Sequence, residues 1–249
     1  MRNLLFVSTL LLLVSACKKG DSDITSTPAV LHSRIKTYRS QFKFSAPTDY
    51  QLTYDASDST RLQSYREVDQ NGKVLNSASF SYPANKSYFI VSALYSTDSV
   101  IIDAKHRVLA HYTRLRNNSN SWEEYFEYNS DGQVMRTTRK SATDTTVGIA
   151  NYTWTNGNVD LVDSYGKKIL SATYDLDKPS QAADWSSFQD LLNFGGYGRT
   201  FVNKNLQIQF PLPSSKLRIE HSFDELERII TLDTYEGTSV FGRNWVTYY

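Results

Sequence analysis

Apolar and polar residues alternate along most of this chain with a period of two. Tyr50, Leu52 and Tyr54 share one parity, as do Val74, Ala78, Phe80 and Tyr82, and then Trp122, Phe126 and Tyr128. A strand projects successive side chains to opposite faces, so these runs describe half-buried antiparallel strands. Asn71-Gly72, Asp131-Gly132 and Asn156-Gly157 fall between runs, and each pair tolerates the positive φ angles of a tight hairpin. The pattern predicts a mainly β fold, an antiparallel meander that forms a curved sheet or an open barrel.

The runs also share a unit: two alternating apolar residues, a polar turn that often carries a basic residue, then Val, Ile or Leu opening the next strand. Clear copies cover 126–134 and 152–159, weaker ones 50–62, 101–108 and 221–229, and 69–74 keeps only the turn and the strand opening. Their irregular spacing favours one continuous sheet over a propeller or a strict solenoid. One segment departs from the period. Trp185, Phe188, Leu191 and Leu192 are spaced for one helix face, Ser186 and Gln189 form a capping-box pattern, and Gly195-Gly196 ends the run. A short helix over 186–194 is expected to plug or cover one side of the sheet.

The N-terminus reads differently. Met1-Arg2-Asn3 precedes an apolar run from Leu4 to Val14 that is too short to span a bilayer, and Val14-Ser15-Ala16-Cys17 places small residues before a cysteine. Residues 1–16 therefore read as a lipoprotein signal peptide, with lipid attached to Cys17 as the membrane anchor. Residues 17–33 form a polar tether with too little apolar surface to fold, and 34–249 a single β-rich domain. Lys18-Lys19 followed by Asp21 and Asp23 resembles the surface-export signal of Bacteroidota lipoproteins, which implies an outer-membrane protein displayed at the cell surface.

Cys17 is the sole cysteine, so acylation there leaves no disulfide, thiolate nucleophile or cysteine metal site. Removing residues 1–16 takes away one basic residue, Arg2, and leaves 26 basic side chains against 26 acidic ones. That balance offers nucleic acid no electrostatic footprint.

The lipobox, the tether, the Tyr-Asp-like hairpin units, the helical insert and the stretch from Gly195-Gly196-Tyr197-Gly198-Arg199 through Asn203-Lys204-Asn205-Leu206 together resemble an uncharacterised Bacteroidota lipoprotein family. The resemblance covers about the last two-thirds of the chain and implies a final pair of strands near 217–223 and 228–235. It implies no activity. The hairpin units also resemble the Tyr-Asp repeats of large secreted shells, although several copies here lack the glycine.

Catalytic chemistry finds little support. His32, His106, His111 and His221 form no recognised ligand pair, no serine lies in a Gly-x-Ser-x-Gly elbow, and no glycine-rich loop follows a strand to open a helix. Neither a metal nor a cofactor is implied. Glu123 and Glu127 share a strand parity, whereas Glu124 falls on the face of Trp122; the simplest reading is a strand with one polar side, not a glycosidase pair. The expected function is a non-enzymatic envelope binding or interaction module for a glycan or an envelope protein. A carrier of a hydrophobic ligand and a hydrolase with a dispersed site remain as alternatives. Phe194, Tyr197 and Arg199 are the candidate ligand-binding residues, beside a Gly195–Gly198 stretch expected to shift and gate access.

Overall fold

The computed structural model describes residues 34–116, 121–141, 147–164, 167–169, 172–196, 198, 200–211 and 216–249. The signal peptide, Cys17, the tether, Tyr197 and Arg199 lie outside the described residues.

The strands are β1 (Ile35–Phe42), β2 (Thr48–Tyr54), β3 (Leu62–Asp69), β4 (Val74–Ser81), β5 (Tyr88–Ala93), β6 (Ser96–Ile102), β7 (Val108–Leu115), β8 (Trp122–Tyr128) and β9 (Val134–Ser141). They continue with β10 (Val147–Thr155), β11 (Asn158–Ser164), β12 (Lys167–Ile169), β13 (Thr173–Pro179), the helix α1 (Trp185–Phe194), β14 (Asn205–Pro211), β15 (Lys216–Phe223), β16 (Ile229–Glu236) and β17 (Ser239–Tyr248). All lie in one sheet of sequential neighbours, and β1 pairs antiparallel with β17. The meander thus curls round on itself as a barrel. An antiparallel ring holds an even number of strands, yet the described residues form 17 segments. β12 and β13 must therefore run the same way. β12 pairs antiparallel with β11 and β13 with β14, so the two segments together hold one place in the antiparallel ring.

The repeated unit has a defined structure. In Asp69–Lys73, Asp103–Arg107, Asn129–Gln133 and Asp224–Arg228, the first residue's side-chain oxygen accepts the backbone N–H groups of the third and fifth residues at 2.8–3.0 Å. The fourth residue has positive φ: Gly72 at 78°, His106 at 61°, Gly132 at 80° and Glu227 at 58°. Only Asn156-Gly157 places both residues of the pair at positive φ, 53° and 81°. The Asn71-Gly72 and Asp131-Gly132 pairs sit instead in these longer turns, because a side-chain acceptor at the first position organises a wider loop. The two copies without glycine carry a left-handed residue at a cost of about 1–2 kcal/mol.

Each turn except the first feeds a strand whose opening residue is fully buried: Val108, Val134 and Ile229, joined by Leu62 after the 55–61 turn. A β-bulge follows each one in the pairing register. A bulge takes a residue out of the ladder, and the carbonyl it frees is met by an aromatic donor about twenty residues on. Tyr82 Oη donates to Leu62 O at 2.9 Å, Tyr128 Oη to Val108 O at 2.7 Å, Trp154 Nε1 to Val134 O at 2.7 Å and Tyr248 Oη to Ile229 O at 2.8 Å. Arg61, Arg107 and Arg228, which precede three of the openings, lie over the Tyr82, Tyr128 and Tyr248 rings at 5.4, 4.8 and 4.5 Å. Burial holds the Tyr128 and Tyr248 phenols protonated well above their ordinary range, so the donors persist at any physiological pH.

All these openings fall at one end of the barrel, where the segment 180–204 also leaves β13 and rejoins β14; Pro179 and Asn205 are paired. The described residues of this segment run inside. Phe188 stacks on Tyr38 of β1 at 3.7 Å and meets Tyr50 of β2 edge-on, Phe194 meets His111 of β7 and Phe126 of β8, and Gln181 bonds the backbone of Glu227 and Ile229 beside β16. Only an internal plug touches strands on opposite sides of a ring. The helix begins at Trp185, with Asp184 preceding it and accepting the Phe188 N–H on its backbone carbonyl at 2.8 Å. Ten residues are too few to be helical alone. Burying Phe188, 1% exposed, contributes about 1.5–3 kcal/mol and its ring contacts about 0.5–1.5 kcal/mol each.

The outer wall is charged. Arg39–Asp49, Arg136–Glu127, Arg218–Glu220 and Arg243–Asp233 are ion pairs on outward positions. Exposed pairs add at most about 1 kcal/mol each, but a charge on a lipid-facing wall costs about 2–4 kcal/mol at the bilayer midplane. These pairs place charge on the outer wall, and the apolar core faces the interior.

Replacing Tyr248 by Phe keeps the ring under Arg228 but leaves the Ile229 carbonyl without its donor. Urea unfolding is expected to show a loss of about 1–2 kcal/mol, and Tyr248→Leu a further loss as the cation–π contact goes.

Candidate functional site

The plug fills the half of the interior next to the strand openings. Beyond it, strands β6 to β9 carry a row of inward charges. His111 of β7 is directly opposite Glu124 of β8, and Glu124 opposite Arg139 of β9. Asp98 of β6 adjoins the row, its Oδ2 3.1 Å from His111 Nε2. Thr113 Oγ1 lies 3.3 Å from the same nitrogen. Parity fixes the direction of the row, since Phe126, two residues beyond Glu124, is buried against Phe194 in the plug.

Solvent reaches this half of the lumen. Arg139 points inward yet is exposed, and Asp98 and His111 retain 16% and 13% of their side-chain surface. Arg139 lies over the Trp122 ring at 4.5 Å, on the strand next to Glu124. Asp98 Oδ1 is buried with no hydrogen-bond partner among the described residues. Glu67 of β3 also faces inward, bonded to Tyr50, and helps to raise the Tyr50 and Tyr65 phenols, although burial is the larger cause. The lining is therefore rich in acceptors and walled by aromatic rings.

His111 Nε2 serves both Asp98 and Thr113, so this set does not relay a proton from an acid through the ring to a hydroxyl, which needs both ring nitrogens. Among the described residues no group of three or more His, Cys, Asp or Glu side chains is placed to hold a metal.

The residues singled out by sequence divide. Phe194 is 5% exposed, and its ring meets His111 edge-on at 5.6 Å, so it forms the floor under the charged row. Tyr197 and Arg199 are outside the described residues. The glycines beside them are wedged, not free to shift. Gly195 O accepts from Leu62 N at 2.8 Å and Tyr82 Oη at 3.2 Å. A Cβ at Gly196 would come within 2.6 Å of the Thr60 carbonyl oxygen, and one at Gly198 within 2.8 Å of Val108 Cγ2. Close passage between plug and wall requires glycine here.

Glu123 and Glu127 face outward, bonded to Tyr125 and paired with Arg136, while Glu124 shares the inner face with Trp122. His106 stands in a turn. His111 does not: it is an interior residue whose partner lies across the Asp103–Arg107 hairpin. Two residues of inward parity flanking that turn were the available signal. A separate shallow groove lined by Asn156, Gly157, Leu176, Lys204 and Asn205 lies at the plugged end. Behind it Asn158, Asn203 and Asn205 bond the backbone and one another, which seals the plug to the wall.

No protein family and no curated protein matches the chain. Among solved structures, the chain shares its fold with a porin-like protein from Bacteroides uniformis, at a TM-score of 0.59 and 10% identity over 86% of this chain and 98% of that one. The Tc holotoxin pore of Photorhabdus luminescens aligns at a TM-score of 0.31 and 9% identity over 78% of this chain and 9% of that one, which is below a shared fold.

Two buried groups give opposed pH dependences. Burial pushes the Asp190 carboxyl, which holds Thr200 and Phe201 in the plug, up to about 6. Burial, with Lys178 nearby, pushes His221 down to about 4. Folding favours the protonated Asp190, so its contribution is lost as pH rises through 6. Folding favours neutral His221, so its contribution is lost as pH falls from about 6.5 towards 4. The two offset in the native protein. Asp190→Asn is expected to expose a loss of stability on acidification between pH 6.5 and 4, and His221→Gln a gain, each up to about 2–3 kcal/mol, measured by urea midpoints across that range.

Proposed function

We propose that the protein is a lipid-anchored component of the cell envelope that binds a glycan or another polar envelope ligand in the unplugged half of its barrel. The observation that carries this reading is the inward yet exposed Arg139, over the Trp122 ring and in register with Glu124 and His111. A lumen kept wet and lined with opposed charges suits recognition, whereas a polar residue placed inside only to fill space would be buried and paired. The porin-like protein from Bacteroides with the same fold supports an envelope setting, and the charged outer wall supports a barrel held at the membrane by its lipid.

The charged lining argues against a carrier of hydrophobic ligands. The shared nitrogen of His111 argues against a hydrolase. Arg34, where the tether joins the barrel, lies at the plugged end, bonded through its carbonyl to Tyr249 N. A tether to Cys17 would thus leave from the plugged end of the barrel.

Cys17→Ser is expected to release the protein from the membrane fraction, because a chain with balanced charge has no second anchor; persistence of the variant in salt-washed membranes would show the anchor to be wrong. For the site, a glycan and envelope-lipid array is probed with the wild type, with Trp122→Ala, Arg139→Ala, and with Tyr197→Ala, Arg199→Ala. Loss of binding in the first double variant alone is the expected result. Loss only in the second would place the ligand beside Phe194 at the helix end, and unchanged binding by both would remove the lumen reading.

A further inference from the structure

We infer that the ligand of the charged row is an uncharged pyranose ring, laid across β6 to β9. This rests on the lumen reading above and names its ligand class.

Charge comes first. Glu67, Asp98 and Glu124 face the lumen with His111 and Arg139. A carboxylate or phosphate ligand would meet three like charges and one guanidinium. An ammonium ligand would satisfy the carboxylates but leave Arg139 repelled and its donors without an acceptor. A hydroxyl both donates and accepts, so a polyol is the simplest ligand to match acceptors and donors in one row without bringing a charge of its own.

Spacing comes second. His111, Glu124 and Arg139 are directly opposite on neighbouring strands, which lie about 4.8 Å apart. Glu124 as acceptor and Arg139 as donor therefore stand at a separation comparable to that of equatorial oxygens on alternate carbons of a pyranose, beside a His111 whose Nε2 is engaged by Asp98 and Thr113. A flexible polyol would lose more entropy in meeting the same row.

The third observation is the orphaned acceptor. Asp98 Oδ2 is taken by His111, whereas Oδ1 is buried with no partner among the described residues. An unmatched buried carboxylate oxygen is costly, and a ligand hydroxyl would supply its hydrogen. Trp122 and the Phe194 floor add apolar surface for the C–H face of the ring.

The test uses the mature chain and saturation-transfer NMR with matched methyl glycosides: glucoside, galactoside and mannoside, glucosamine as the cationic form and glucuronate as the anionic form. At least one neutral glycoside is expected to bind, with glucosamine and glucuronate at least tenfold weaker than their neutral parent. Glu124→Gln and Arg139→Gln should each weaken that binding at least tenfold with unchanged melting temperatures; the exposed Arg139 serves as the second variant should Glu124→Gln fail to fold. If a charged form binds as tightly as its parent and the variants abolish it, the ligand class is wrong and the lumen reading stands. If neutral binding is untouched by both variants, the site is elsewhere. If none of the five sugars binds, the pyranose assignment falls, and the array above decides the lumen reading independently.

Discussion

The barrel depends on one recurring hydrogen bond, from an aromatic donor to the carbonyl of a residue about twenty positions earlier. A strand that opens with a bulge twists sharply and leaves a carbonyl outside its ladder. In a buried position that group costs about as much as a hydrogen bond contributes. By repeating the solution at Leu62, Val108, Val134 and Ile229, the chain makes the same bend along its length and the sheet comes round to pair β1 with β17. The guanidinium over three of the rings and the acidic residue that holds it keep each donor aimed. Removal of a single hydroxyl therefore loosens a corner of the barrel, not merely one contact.

Curvature of this kind creates a second demand. A ring of this many strands encloses more space than its inward side chains fill, and the plug answers for half of it. The plug has little helical stability of its own, so its position follows from what the wall presents: an aromatic floor at Tyr38 and Tyr50 for Phe188, and narrow passages at Phe80, Thr60 and Val108 that admit only glycine. The remaining half carries charge where a closed core would carry leucine. That contrast within one lumen, aromatic and buried below, ionic and partly exposed above, separates what holds the fold from what the proposed site would use.

Much of the fold was legible in the sequence because both of its generating signals are local. Period two marks the strands, and the Asp/Asn-to-Val/Ile/Leu unit marks the turns and strand openings, so 126–134 and 221–229 read correctly as hairpins. The helix was found within a residue of its start. Ring closure was not legible, since the pairing of Tyr38 with Val246 leaves no trace in neighbouring residues. The aromatic donors were visible only as strand formers, because their acceptors lie twenty residues back. The charged row was missed for a related reason. His111 and Glu124 look like ordinary surface residues until the sheet's inner face is known, and the acid partner of His111 sits across a hairpin. Phe194 is expected at a loose glycine hinge, whereas it is a buried ring against His111 and the glycines beside it are wedged.

Both ends of the folded chain and both connections of the internal segment gather at one rim. At the opposite rim lie hairpin connections such as 43–47, 70–73, 94–95 and 237–238, and among the described residues these four are not bonded to the chain ends or to the internal helix. Such connections can lengthen, shorten or change composition without disturbing how the barrel closes or what fills it. An architecture of this kind can thus vary one set of loops while folding rests on another set of residues altogether.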